Sequence, residues 1–195
     1  METLINNESA LELLQLIGLD NSKRPSLALL AVSDSKYLRD LKLNLKTVLK
    51  PDNLSEKDAL LIALACAANE KNNVLINHFA EQSKTLLASN EEISETIACA
   101  SLLSSNNVLY RFRHFTKKEK YQQIPPRLRM SIMMNPVVGK ELFELISLAV
   151  SAVNGCEMCV NAHEHSLIEL GTSEERIFDA IRIASVITSL GKIIY

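Results

Sequence analysis

Apolar residues recur every three or four positions along most of the chain, which is the spacing of one face of an α-helix. The clearest example is the series Leu142, Leu145, Ile146, Ala149 and Val153. Only five Gly and five Pro residues interrupt the chain, which favours long helices over a turn-rich β fold. The pattern therefore predicts an all-α fold.

Start and stop signals divide this pattern into separate helices. At four places a hydroxyl residue stands three positions before a carboxylate, as in a helix capping box. These hydroxyl residues are Ser9, Ser55, Ser89 and Thr172. Glycines that fit the left-handed position after a helix are Gly18, Gly155 and Gly171. The signals predict helices near residues 10–17, 34–49, 56–70, 73–88, 90–106, 137–153, 157–170 and 174–193.

A weak internal repeat relates two parts of the chain. Residues 89–108 match residues 173–192 at an offset of 84, and residues further upstream match at an offset of 85. We interpret the repeat as two related helical units that bury each other's apolar faces, with similar amphipathic composition as the alternative. At the offset of 85, Lys71 and Val74 stand where the second unit has Cys156 and Cys159. Only the second unit would then be active.

This organisation predicts one helical domain over residues 33–195. Its first half, 33–109, is expected to be inactive, a basic linker is expected over 110–136, and the second half, 137–195, carries the candidate site. Residues 1–32 are expected to form an N-terminal extension with a short helix and a break at Lys23-Arg24-Pro25.

The charge is close to neutral, with 21 basic and 23 acidic residues, and gives no electrostatic reason to expect a nucleic acid partner. No apolar run approaches the ~20 residues that span a bilayer. Residues 1–10 lack the basic and apolar regions of a signal peptide. We therefore expect a cytoplasmic protein with no membrane partner.

The four cysteines divide into two kinds. Cys66 and Cys99 stand between alanines in apolar helical patterns, so we expect small buried side chains. Cys156 and Cys159 follow a break at Asn154-Gly155 and open a new helix. The first turn of a helix favours an anion, and the thiolate is the reactive form of cysteine. The spacing of three also allows both sulfurs to close a disulfide.

Two further residues are candidates for handling the proton of a thiol. His163 stands four positions after Cys159, one turn along the same helical face, where an imidazole can accept a proton or stabilise a thiolate. Glu144 lies on the preceding helix and would approach His163 if the two helices are antiparallel. Spacing alone favours the alternative, in which Glu144 belongs to the polar face of an amphipathic helix.

A zinc site is the alternative interpretation of the same residues. Cys156, Cys159 and His163 would supply three ligands, and the protein would then be a structural or scaffold module. Structural zinc sites usually take ligands in two pairs from separate segments, and the sequence has no second cysteine pair. We therefore expect no bound metal, and thiol redox chemistry is favoured.

The segment from Phe143 to His165, which contains Asn154-Gly155-Cys156-Glu157-Met158-Cys159 and His163, resembles the alkyl hydroperoxide reductase AhpD family of the carboxymuconolactone decarboxylase-like superfamily. The likeness extends upstream through residues 127–130, 107–111 and 40–45 and covers about residues 33–195. It implies an all-helical fold assembled as a homo-oligomer, commonly a trimer. It also implies an antioxidant peroxidase or disulfide reductase that acts on hydroperoxides.

The resemblance also implies roles for the site residues and the partners. Cys159 would be the nucleophile, Cys156 the resolving thiol and proton donor, and His163 with Glu144 the proton relay. The partners would be the peroxiredoxin AhpC and a lipoyl-bearing acyltransferase, with dihydrolipoamide as reducing co-substrate and no tightly bound cofactor. One departure is Met158, which stands where well-known members have a His and cannot carry a proton.

Overall fold

The computed structural model describes residues 5–21 and 24–195, and every regular element in these ranges is helical. The helices are α1 (Glu8–Leu16), α2 (Pro25–Val32), α3 (Lys36–Val48), α4 (Glu56–Asn69), α5 (Asn73–Thr85), α6 (Asn90–Thr116), α7 (Glu119–Gln123), α8 (Lys140–Val153), α9 (Glu157–Glu169) and α10 (Glu174–Gly191). A single 3-10 turn, Ser131–Met133, lies between α7 and α8. The prediction of an all-α fold is confirmed.

Side-chain caps fix several of the helix starts. The Ser55 hydroxyl accepts from the Asp58 N–H, and Ser89 forms a complete capping box with Glu92, as predicted. The other two caps were predicted wrongly. Asn7 rather than Ser9 caps α1, and Ser173 rather than Thr172 caps α10. Thr172 instead donates its hydroxyl proton to Glu141.

The helices of the two halves follow the same plan with a constant spacing. Because α4 and α5 begin at 56 and 73 while α8 and α9 begin at 140 and 157, the offset is 84 in both cases. The helix ends 69 and 153, and 85 and 169, keep the same offset, as do the starts of α6 and α10 at 90 and 174. The upstream offset of 85 is therefore wrong by one residue. Cys156 corresponds to Asn72, and Cys159 corresponds to Leu75.

Helices α4 and α8 lie at the centre of the molecule. They pack against each other, and both are covered by α6 and α10. Every residue of α4 from Ala59 to Ala67 is buried, as is every residue of α8 from Leu142 to Ser151. Each of these two helices also packs against the helix that follows it, α5 or α9. The start of α9 is therefore held against the buried core of the molecule.

Two segments are more helical than predicted. The described part of the N-terminal extension contains two helices rather than one, and Pro25 begins the second of them at the first helical position, where it needs no N–H. Lys23, part of the predicted break, lies outside the described residues. Helix α6 continues to Thr116, because no Gly or Pro interrupts residues 90–116, so the predicted linker 110–136 begins inside a helix.

Within the described ranges, no helix is both long enough and apolar enough to cross a lipid bilayer.

Candidate active site

The site is built on the tight turn between α8 and α9. Gly155 has a φ of +65°, a left-handed conformation that a glycine adopts without steric cost. Its N–H donates to the Ala152 carbonyl, and the Cys156 N–H donates to the Ser151 carbonyl, both at 3.1 Å. These two bonds are a Schellman closure of α8. They place Cys156 directly at the N-cap of α9.

Cys156 and Cys159 are joined by a disulfide, and their Cα atoms are 5.3 Å apart. Cys156 is completely buried, whereas 6% of Cys159 is exposed. Cys159 lies in the first turn of α9, where unpaired N–H groups and the helix dipole favour negative charge. Once the disulfide is reduced, this environment favours the thiolate at the sulfur that solvent reaches.

His163 and Glu144 form a buried pair. The Nδ1 atom of His163 lies 2.6 Å from Oε2 of Glu144, and at least nine-tenths of each residue is buried. The pair joins the middle of α9 to the first half of α8. Such a short contact fixes the orientation of the imidazole and makes Nδ1 the proton-bearing nitrogen whenever the ring is neutral. Glu144 is therefore not part of a solvated helix face.

Cys159 and His163 open into a common pocket of about 380 Å³. Most of the other side chains around it are apolar or contain a thioether. The remaining lining residues are Leu103, Asn106, Tyr110, Met130, Met133, Met158 and Ala162. Helices α6 and α9 and the segment that precedes α8 all contribute to it. The pocket can hold a small organic molecule with an apolar body next to the sulfur of Cys159.

The other two cysteines are far less suited to chemistry. Cys66 and Cys99 are completely buried and unpaired. Burial raises the pKa of both thiols to about 12, so neither forms a thiolate near neutral pH. Cys99 also hydrogen-bonds to the Ser147 hydroxyl at 3.4 Å. The prediction that both are small core side chains is confirmed.

Neighbouring polar residues on α9 lie away from this pocket. His165 is exposed, and its Nε2 atom lies 3.4 Å from Glu169 on the same helix.

Met158 lines the pocket with its thioether, so no imidazole stands between the two cysteines. Within residues 5–21 and 24–195, no three His, Cys, Asp or Glu side chains are grouped so that they could hold a metal ion. The zinc interpretation therefore gains no support from the geometry.

Several residues that line the pocket could not be identified as site residues from the sequence. Tyr110 falls in the segment interpreted as a linker, and Asn106 stands in a run of polar residues on α6. Met130 and Met133 lie at the 3-10 turn between α7 and α8, where the sequence has no amphipathic helical pattern. Only the folding of these stretches over α9 brings them next to Cys159.

Comparison with known proteins gives a consistent picture. A profile described as the carboxymuconolactone decarboxylase family matches residues 119–193. The alkyl hydroperoxide reductase AhpD of Anaeromyxobacter dehalogenans (strain 2CP-C) is 41% identical over 149 residues, which are 76% of this chain and 80% of that protein. The AhpD of Coxiella burnetii (strain Dugway 5J108-111) is 42% identical over 161 residues, 80% of this chain and 90% of that protein.

A more distant relative points the same way. The AhpD of Beijerinckia indica is 38% identical over 153 residues, which cover 78% of this chain and 84% of that protein. Alignments of this length extend into both halves of the fold, and the carboxymuconolactone decarboxylase profile includes the cysteine motif. This chain belongs to the alkyl hydroperoxide reductase AhpD family.

Proposed function

We propose that this chain is an oxidoreductase that reduces organic hydroperoxides, with Cys159 as the attacking thiolate and Cys156 as the resolving thiol. One observation carries the proposal. The more accessible cysteine of a redox pair lies at a helix start and shares a mostly apolar pocket with a buried, carboxylate-oriented histidine. The names of the AhpD relatives support the same class of reaction.

In the first step, the Cys159 thiolate attacks the outer oxygen of the hydroperoxide. The O–O bond breaks, Cys159 becomes a sulfenic acid, and the alkoxide leaves with a proton supplied by Cys156 or by the His163 relay. In the second step, the Cys156 thiolate attacks the sulfur of the sulfenic acid. Hydroxide leaves with a proton as water, and the Cys156–Cys159 disulfide forms. Two electrons have then passed from the dithiol to the peroxide.

His163 and Glu144 manage the protons of these steps. The Glu144 carboxylate holds the proton on Nδ1, which leaves the other ring nitrogen free to accept a proton from a thiol. A positive charge on the ring during transfer is stabilised by the carboxylate 2.6 Å away. The pair is buried, so bulk water weakens this interaction little.

The reducing co-substrate in this proposal is a dithiol of the dihydrolipoamide type. One of its thiolates attacks the disulfide to give a mixed disulfide, and its second thiol then releases reduced enzyme and lipoamide. The apolar pocket suits the hydrocarbon chain of such a molecule as well as that of an organic hydroperoxide. A lipoyl-bearing acyltransferase is the proposed electron source, and the peroxiredoxin AhpC is the proposed protein substrate.

We also propose that the chain works as a homo-oligomer, with a trimer favoured by the family resemblance, in the cytoplasm. Val108, Phe112 and Phe115 stand at positions i, i+4 and i+7 of α6 and are 61%, 47% and 70% exposed. A row of exposed apolar side chains on one helix face is typical of a subunit contact. Light scattering on the purified chain measures the mass directly.

A coupled assay tests the central proposal. Lipoamide, its dehydrogenase and NADH supply electrons, and cumene hydroperoxide is the substrate. We expect Cys159→Ser and Cys156→Ser to abolish turnover, while Cys99→Ser, a buried cysteine outside the pair, keeps it. Full turnover by Cys159→Ser would show that Cys159 is not the nucleophile. A stoichiometric metal together with unreactive thiols would instead favour the zinc interpretation.

A further inference from the structure

Asn154, which immediately precedes the Gly155-Cys156 turn, is held by a set of amide hydrogen bonds. Its side chain pairs reciprocally with that of Asn69 at the end of α4, accepting at 2.9 Å and donating at 3.1 Å. The same amide also donates to Oδ1 of Asn107 on α6 at 2.8 Å. Three helices therefore meet at one side chain, two positions before the buried cysteine.

The backbone around Asn154 is held as well. The Arg111 guanidinium donates to the Asn154 carbonyl at 2.5 Å, which satisfies an acceptor at the C-terminal end of α8. Asn107 donates to the hydroxyl of Ser151 at 3.0 Å. The carbonyl of Ser151 is in turn the acceptor for the Cys156 N–H. The side chain and carbonyl of Asn154 and the hydroxyl of Ser151 are thus tied to α4 or α6.

We propose that Asn69, Asn107 and Arg111 are positioning residues that set the dithiol–disulfide equilibrium of the Cys156–Cys159 pair. The proposal rests on the redox role of the two cysteines argued above. None of the three residues bonds to either sulfur. They act through Asn154 and Ser151, which fix the backbone of Cys156.

The direction of the effect follows from the two redox states. In the oxidised state, the covalent bond holds the two sulfurs together even if the turn before Cys156 is flexible. In the dithiol, only the fold keeps Cys156 near Cys159, so a rigid turn raises the effective concentration of one thiol at the other. Loosening the turn therefore disfavours disulfide formation and makes the pair easier to reduce.

Equilibration with glutathione tests this on the full-length protein. Two glutathione molecules transfer two electrons and two protons to the protein disulfide and leave as one glutathione disulfide. For Asn69→Ala, which loses both hydrogen bonds to Asn154, we expect the equilibrium constant for disulfide formation to fall about three- to tenfold. A tenfold fall is a shift of about 30 mV to a less negative potential. Arg111→Met is expected to shift it in the same direction.

Asn73→Ala, which removes an exposed amide at the start of α5, is the matched control and should keep the wild-type constant. Asn69→Asp keeps the shape of the side chain and is measured in parallel, and it decides the test if Asn69→Ala does not fold. Constants within twofold of wild type in a folded Asn69 variant would overturn the proposal. Because no peroxide takes part, this outcome is independent of whether the chain reduces hydroperoxides.

Discussion

Replacing Glu144 by Gln gives a direct test of the proton relay. The change removes the charge but keeps the length of the side chain and an oxygen that accepts from Nδ1 of His163. The present contact of 2.6 Å is that of a charge-assisted hydrogen bond. Such bonds contribute about 1.5–3 kcal/mol, against about 0.5–1.5 kcal/mol for a neutral one. The two ranges differ by about 1–1.5 kcal/mol, which corresponds to an effect of about five- to tenfold on a rate or equilibrium constant.

Orientation of the imidazole is only part of what Glu144 supplies. General acid–base assistance as a whole contributes about 10²- to 10⁴-fold, and Gln keeps the ring in place while stabilising its charged form poorly. We therefore expect the rate constant for oxidation of reduced enzyme by cumene hydroperoxide to fall about 10- to 100-fold. The fold should tolerate the change, with a melting temperature lowered by about 3 °C.

Single-turnover kinetics measure this effect without the reductant. Protein reduced with dithiothreitol and freed from it is mixed with excess hydroperoxide, and the loss of free thiols is followed in time. His165→Gln, which alters an exposed histidine paired with Glu169, is the control and should react like wild type. The reasoning is refuted if Glu144→Gln keeps the wild-type rate, or if its effect simply adds to that of His163→Gln.

Three further outcomes are expected. With the disulfide reduced and the protein folded at pH 8, iodoacetamide should label Cys159 but not Cys66 or Cys99, because burial raises the pKa of those two thiols to about 12. Mass spectrometry should find Cys66 and Cys99 modified only after denaturant is added. Met158→His should raise the rate constant for oxidation of the reduced enzyme by hydrogen peroxide at pH 6 about two- to tenfold, because an imidazolium beside the thiol stabilises the thiolate. An unchanged or lower rate constant in stopped-flow measurements would show that Met158 does not limit the reactivity of the thiol. Burial lowers the pKa of His78 below 6.5, so the unfolded chain binds more protons below that pH and stability falls as the pH drops. His78→Gln should therefore lose less unfolding free energy between pH 7.5 and pH 5 in urea titrations than wild type does, whereas His165→Gln should lose as much as wild type.

Local signals in the sequence predict much of this fold. The hydroxyl caps at Ser55 and Ser89 and the glycine at 155 act over three or four residues, so they can be read without knowledge of the tertiary structure. The same holds for the helix start at Cys156, which requires only the preceding turn. The end of α6 is different, because no Gly or Pro marks it and the helix runs ten residues past the predicted 106.

The candidate site shows the same division. The spacing of Cys156, Cys159 and His163 lies within two turns of one helix and is visible in the sequence. The partnership of His163 with Glu144 depends on how α8 and α9 pack, and spacing alone favours the wrong alternative, a solvated polar face. The contact between Asn69 and Asn154 joins residues 85 positions apart, and nothing local to either residue predicts it.

The 84-residue repeat has a consequence for electron stoichiometry. In the first unit, the residue that corresponds to Cys156 is Asn72, whose side chain caps α5 and donates to the Ile194 carbonyl near the carboxyl end of the chain. In the first unit this position therefore holds the Ile194 carbonyl, whereas the corresponding position in the second unit carries a cysteine sulfur. With Cys156 and Cys159 as the proposed redox pair, each polypeptide stores a single pair of electrons, and we expect one equivalent of dithiol to reduce one equivalent of chain, whatever number of subunits assembles.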